Sequence, residues 1–160
     1  MRALHVVLVE PEIPWNTGNA GRTCLAVGAT LHLVAPLGFS LDERQVRRAG
    51  LDYWPLVNPT LWPSWGAFAE RLPTLGTPFF FTSRSARFFQ EVTFPDASVL
   101  VFGRESVGLS RALLEAHAAD TVAIPMLEPA VRSLNLSTSV ALAAYEVQRQ
   151  WGWPARPTTR

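Results

Sequence analysis

The 160-residue sequence contains one cysteine and no lysine. A single cysteine, Cys24, excludes an internal disulfide, and its place in an apolar helical run points to a buried residue. No His, Cys or Asp spacing suits a metal, and the three histidines lie far apart. His5 and His32 fall within strand patterns and read as core or edge residues. The missing lysine excludes a P-loop, whose glycine-rich turn runs into Lys-Ser or Lys-Thr. No apolar run approaches the ~20 residues of a membrane span. The opening MRALHVVLVEPE meets charge and proline too early for a signal peptide. The expectation is therefore a soluble cytoplasmic protein without a membrane partner. A net charge of +1 gives no broad basic field, so any nucleic-acid contact must come from local patches. All 14 basic residues are arginine, which suits bidentate contact with phosphate, although codon preference accounts for it equally well.

What is present is an alternation of apolar runs and helical patterns. Leu4–Val9, Thr30–Val34, Pro78–Thr82, Ser98–Phe102 and Asp120–Ile124 read as strands, short and apolar as strands covered on both faces are. Thr17–Val27, Asp42–Ala49, Pro63–Leu72, Arg111–Ala116 and Ser137–Trp151 read as helices. In the last, Leu136, Val140, Ala144, Val147 and Trp151 form one apolar stripe. That stripe needs a core or a second copy of the chain to cover it. The tail from residue 151 to 160 has no pattern and reads as irregular. The whole chain reads as one α/β domain built on a mostly parallel sheet flanked by helices.

In such a sheet, ligands bind beyond the carboxyl ends of the strands. Three polar segments fall there: EPEIPWNTGNAGR after the first strand, GRESVGLS after SVLVF, and PMLEPAVRSLNLSTS after TVAI. Each alone is ordinary turn composition. Together they suggest one site at one edge, with glycines that let backbone approach a ligand and with Asn16, Asn19, Arg22, Glu105, Ser133 and Asn135 as polar groups. GNAG lacks the first glycine of the dinucleotide fingerprint, and Ser133 has no neighbouring histidine to activate it. The set suits an organic cofactor and a polar substrate.

The segments EPEIPWNTGNAGRTC, PLGF, RRAGLDYW, VFGRESVGL and IPM…RSLNLSTSVALAAYE together resemble the SPOUT-class RNA 2′-O-methyltransferases, from Val7 to about Gln150. The resemblance implies a sheet whose C-terminal part is tied in a deep trefoil knot. It implies a homodimer with the active site near the subunit interface, and S-adenosylmethionine as cofactor. It implies tRNA as partner, with the wobble nucleotide of leucine tRNAs as the expected target. Carried over by motif, the cofactor residues are Phe81, Gly103, Ile124, Ser133 and Leu134. The reaction-centre candidates are Asn16, Arg22, Glu105, Ser133 and Asn135. Arg44, Arg47, Arg48, Arg84 and Arg87 are the candidate RNA contacts. The resemblance also favours a second copy as the cover of the apolar stripe. One departure bears on the target nucleotide: Arg104 stands where proline is usual, and Val107 where a basic residue is usual.

The roles carry alternatives. Arg22 is either a base or a group that holds phosphate and stabilises alkoxide; a guanidinium is not ordinarily deprotonated. Ser133 and Asn135 fall at the start of the last helix, where capping alone is the plain alternative. Glu105 either orients an arginine or bonds a ribose hydroxyl. Gly103 and Gly108 permit close backbone approach, or simply a tight turn. Two rival functions remain: a non-catalytic dimeric RNA-binding module on the same fold, and an ordinary doubly wound nucleotide-binding enzyme. The joint presence of Arg22, Glu105, Ser133 and Asn135 speaks against the first. The incomplete dinucleotide fingerprint speaks against the second.

Overall fold

A computed structural model describes residues 1–42, 44, 48 and 53–156. The chain opens with β1 (Ala3–Val9), α1 (Pro14–Val27) and β2 (Thr30–Val34). It continues through α2 (Trp54–Val57), β3 (Thr60–Trp62), α3 (Trp65–Leu75), β4 (Thr77–Phe81) and β5 (Ala97–Phe102). It ends with α4 (Arg111–Ala116), β6 (Thr121–Val122) and α5 (Leu136–Trp151). The six strands form one sheet in the order β3-β2-β1-β5-β4-β6, and every pairing is parallel.

The alternation of side chains along each strand separates two apolar layers. Leu4, Val6, Leu8, Leu31, Leu33, Leu100 and Phe102 point to the face covered by α1 and α5. Val7, Val34, Val99, Val101 and Phe80 point to the face covered by Phe68 and Leu72 of α3 and Leu113 of α4. A central strand so enclosed is apolar along most of its length, which is why β1 and β5 were legible as apolar runs.

The structure corrects several expectations. Helix α1 begins at Pro14, not Thr17: proline at its first turn needs no N–H partner. Asn16, Gly18, Asn19 and Gly21 are poor helix formers, yet packing overrides propensity. At Gly21 a Cβ would come within 2.9 Å of Trp54 and 3.0 Å of Val57, so this glycine serves helix contact, not ligand approach. Strand β6 is two residues, not Asp120–Ile124, because a 3-10 turn occupies Ala118–Asp120. Helix α3 is set by Ser64, which accepts from the Ala67 N–H, and so starts later than Pro63. Strand β3 and helix α2 were not read from the sequence. The expected helix Asp42–Ala49 lies largely outside the described residues. The stripe on α5 is buried in the chain's own core: Leu136, Val140, Ala144, Val147 and Trp151 are each 8% exposed or less. It leaves nothing for a second copy to cover. Cys24 is buried as expected, and burial pushes its thiol up to about 12.

One polar chain crosses the apolar interior. Trp62 Nε1 donates to His32 Nδ1 at 3.1 Å, and His32 Nε2 faces His5 Nδ1 at 3.0 Å. The tryptophan fixes the tautomer: His32 must carry its proton on Nε2 and donate it to His5. Burial, and then the neighbouring His5, push His32 down to about 4; burial also lowers His5. The unfolded chain therefore binds more protons below its ordinary histidine value near 6.5. Stability is fully present above that value and falls as pH drops toward about 4. At pH 5 the loss from His32 alone is about 2 kcal/mol. Urea unfolding between pH 7 and 4.5 measures this, and the slope becomes shallower in His32→Phe. Equal slopes in both chains contradict it.

Candidate active site

The carboxyl ends of β1, β4, β5 and β6 lie along one edge, and a cavity of about 620 Å³ opens there. Its apolar wall includes Phe81, Phe102, Leu109, Ile124 and Leu136. Phe81 stacks on Phe102 at 4.5 Å between ring centres, which fixes the wall between β4 and β5. Its polar lining includes Asn16, Glu105, Ser106, Ser133 and Asn135. Arg84, Arg104 and Arg132 complete it.

Three segments far apart in sequence are joined here by one chain of hydrogen bonds. Glu105 Oε2 accepts from the Glu12 N–H at 2.7 Å, and Oε1 accepts from the Ile13 N–H at 3.0 Å. These are free N–H groups at the start of α1, where an anion also meets the positive end of the helix. Glu105 Oε1 accepts further from Asn16 Nδ2 at 3.2 Å. Asn16 Oδ1 in turn accepts from Asn135 Nδ2 at 2.9 Å. Asn135 Oδ1 then caps α5, accepting from the N–H groups of Ser137 and Thr138 and from the Ser137 hydroxyl. Each amide uses both ends, so the relay has one direction and fixes the orientation of both asparagines.

Of the residues singled out from sequence, Asn16, Phe81, Arg84, Gly103, Glu105, Ile124, Ser133, Leu134 and Asn135 all line this cavity. Arg22 does not. Asn16, expected on the first loop, sits on α1 with Arg22, and the two face different ways. Asn16 is buried, while Arg22 is exposed with its guanidinium 5.6 Å over the Tyr53 ring. Arg87 is engaged within the fold: its guanidinium donates to the carbonyls of Ala119 at 3.0 Å and Thr121 at 3.4 Å. Arg44 and Arg48 are exposed, and Arg47 lies outside the described residues. Gly103 has a different reason from close ligand approach. A Cβ there would collide with the backbone of Gly108 and Leu109, so the turn itself demands glycine. Arg104 and Arg132 were missed as candidates, although Arg132 immediately precedes Ser133 in a segment already marked as polar. Among the described residues, no group of three or more His, Cys, Asp or Glu is placed to hold a metal ion. Among them, no helix is long and apolar enough to cross a membrane.

Fold and cavity define an α/β protein with an open cavity at the carboxyl edge of a parallel sheet, the place where such sheets bind organic ligands. Residues 3–145 match the model of the SpoU rRNA Methylase family. A tRNA (cytidine(34)-2′-O)-methyltransferase of Burkholderia pseudomallei is 46% identical over 151 residues, covering 93% of this chain and 96% of the relative. A solved structure described in terms of the 2-OH methylation of C/U34 on tRNA superimposes with a TM-score of 0.89 at 47% identity, over 94% of this chain and 97% of the other. The SpoU methyltransferase AviRb of Streptomyces viridochromogenes, solved with AdoMet, gives a TM-score of 0.78 at 25% identity, over 94% of this chain and 58% of its own. The chain belongs to the SpoU methylase family and is a methyltransferase.

The carboxylate of Glu105 serves three donors, so its loss leaves them without a partner at once. Glu105→Ala is expected to lower stability by about 2 kcal/mol, the cost of stranding such donors. It is also expected to speed hydrogen exchange at the Glu12 and Ile13 amides. Chemical denaturation and exchange measured on the same variant check this; unchanged exchange at those amides contradicts the joint.

Proposed function

We propose that this chain is an S-adenosylmethionine-dependent 2′-O-methyltransferase acting on the ribose of nucleotide 34 of tRNA, the wobble position, with leucine tRNAs as its substrates in the cytoplasm. The observation that carries the reading is the cavity of about 620 Å³ walled by three loops and rimmed by Arg84, Arg104 and Arg132. The relatives named for cytidine 34 support the nucleotide; the leucine set rests on the motif resemblance. The whole chain acts as one SPOUT domain. The resemblance implies that its C-terminal part is knotted.

The residues present suit the cofactor. A purine needs an apolar slot, and Phe81, Ile124 and Leu136 supply one. A charged amino-acid end needs polar side chains, and Ser133 and Arg132 lie in the same lining. When bound, the cofactor supplies a methyl group already activated by its sulfonium centre. What remains for the protein is alignment of the 2′-hydroxyl and stabilisation of charge that develops on its oxygen. Ser133 has no hydrogen-bond partner among the described residues and is free to bond the ribose or a phosphate. Asn135, oriented by Asn16, presents its amide at the same wall. Glu105 acts as a positioning residue through Asn16. Arg84, with Arg44, Arg47 and Arg48, contacts the RNA backbone.

Arg22 completes the site from a second copy of the chain. Helices α1 and α5 pack side by side, and Leu25, Leu142 and Tyr145 remain exposed on them. Trp153 packs on Tyr145 at 5.1 Å between ring centres. A homodimer across this face covers these groups. It carries the Arg22 of one protomer toward the cavity of its partner, where the guanidinium holds phosphate and stabilises alkoxide.

Labelled-methyl transfer to total tRNA, followed by mapping, is expected to place the methyl on the ribose of nucleotide 34 in leucine tRNAs. A methyl elsewhere overturns the target, and no transfer overturns the activity. Arg22→Ala is expected to lose at least ~100-fold in turnover with cofactor affinity unchanged. A near-normal single-turnover rate in that variant makes the residue structural. Light scattering is expected to give twice 17.7 kDa; an active monomer contradicts the dimer.

A further inference from the structure

We infer that Glu12 is a positioning residue for the turn at residues 103–108, holding through Ser106 the shape that this turn presents to the cavity. The inference rests on the cavity being the S-adenosylmethionine site. Glu12 does not itself line the cavity, whereas Gly103, Ser106, Val107 and Gly108 do. Glu12 Oε1 accepts from the Ser106 N–H at 3.0 Å and from the Ser106 hydroxyl at 2.6 Å. Glu105 answers in the opposite sense, with its carboxylate on the N–H groups of Glu12 and Ile13. Two neighbouring residues on each side thus exchange side-chain-to-backbone bonds in both directions. A one-way anchor fixes where a turn lies; bonds in both directions also fix how it is rotated.

The turn has little other freedom. The Gly108 N–H donates to the Arg104 carbonyl at 2.8 Å and closes it. The bare Gly103 fits against the backbone of Gly108 and Leu109, so the turn cannot fold further inward. Glu12 restrains it from the outside. The base of that restraint is rigid as well: the Gly38 N–H donates to the Pro11 carbonyl at 2.9 Å. A Cβ at Gly38 would come within 2.8 Å of the Glu12 backbone, so the two segments are in direct contact. The bonds from Ser106 hold the Glu12 carboxyl below the usual range, and the Arg104 guanidinium adds to this. The carboxylate is therefore ionised at neutral pH, and both bonds from Ser106 are charge-assisted.

The test separates cofactor affinity from turnover. Glu12→Ala is expected to weaken S-adenosylmethionine binding about tenfold by calorimetry, the scale of one or two charge-assisted bonds. Turnover at saturating cofactor and tRNA should fall less than affinity does, because the Glu12 and Ile13 N–H groups still hold Glu105, which keeps Asn16 oriented. Glu12→Gln, which keeps the size of the side chain and loses its charge, is expected to weaken binding less, in the same direction. Ser106→Ala should weaken it too, and Ser106→Thr should retain wild-type affinity. The double variant Glu12→Ala/Ser106→Ala should bind no more weakly than Glu12→Ala alone, which already removes the one bond that Ser106→Ala loses. Wild-type affinity in Glu12→Ala and Glu12→Gln overturns the inference. So do losses that multiply in the double variant, or turnover that falls while affinity is unchanged. A wild-type chain that binds no S-adenosylmethionine overturns the cavity reading first, and this inference with it.

Discussion

The Glu105 carboxylate is the joint on which the site depends. A parallel sheet brings its strand ends to one edge but leaves the loops beyond them without common backbone pairing. Here β1 and β5 are neighbours, so the residues that follow them emerge side by side. Glu105 converts that proximity into a fixed geometry by accepting from two N–H groups at the start of α1 and from Asn16. Asn16 extends the joint to Asn135 and so to the first turn of α5. Without this joint, the hydrogen bonds tying the loop after β1 to the turn after β5 would be reduced to those between Glu12 and Ser106, and Asn16 would lose the partner that orients it toward Asn135. The chain also tolerates a left-handed Glu10, at φ 54°, where β1 ends. Strain of that kind persists where surrounding bonds over-determine the backbone.

The division of labour around the cavity follows from the fold. Strand side chains begin the apolar wall, because the ends of β4 and β5 are still covered by core: Phe81 and Phe102 belong to the cluster that packs α1 and α5 against the sheet, and Leu109, Ile124 and Leu136 extend it. Loop residues supply the polar lining, because only there does backbone leave the sheet ladder. Arginines at the mouth bring positive charge to a protein whose net charge is only +1. For an RNA substrate, such a distribution gives local phosphate contact without general affinity for polyanions.

Much of the sheet was legible in the sequence, since β1, β2, β4 and β5 are enclosed on both faces and therefore read as apolar runs. The edges were less so: β6 was read three residues too long, and β3 was not read at all. Strand β3 is the three residues Thr60–Trp62, with Leu61 exposed, and carries too short a pattern to recognise. The start of α1 was placed at Thr17 because Pro14 and Asn16 suggest a loop, whereas packing of α1 against α2 and α5 carries the helix through them. The stripe on α5 was correctly seen as apolar, but periodicity does not say what covers it. For the site, nine of the residues chosen from motif resemblance and arginine clustering line one cavity. It did not show that Asn16 and Arg22, six positions apart on one helix, face opposite surroundings. Nor did it show Glu12 and Ser106 as a pair, since their bond spans 94 positions and neither residue type is unusual in a turn.

The central claim is that the loops after β4, β5 and β6, at the carboxyl edge of the sheet, form one cofactor site. Hydrogen-exchange mass spectrometry of the wild-type chain, with and without saturating S-adenosylmethionine, tests it directly. The account predicts slower exchange in the segments 81–84, 103–109 and 124–136 together, with helix α3 unchanged on the far face. Protection of only one of these segments, or protection centred on α3 instead, would contradict it.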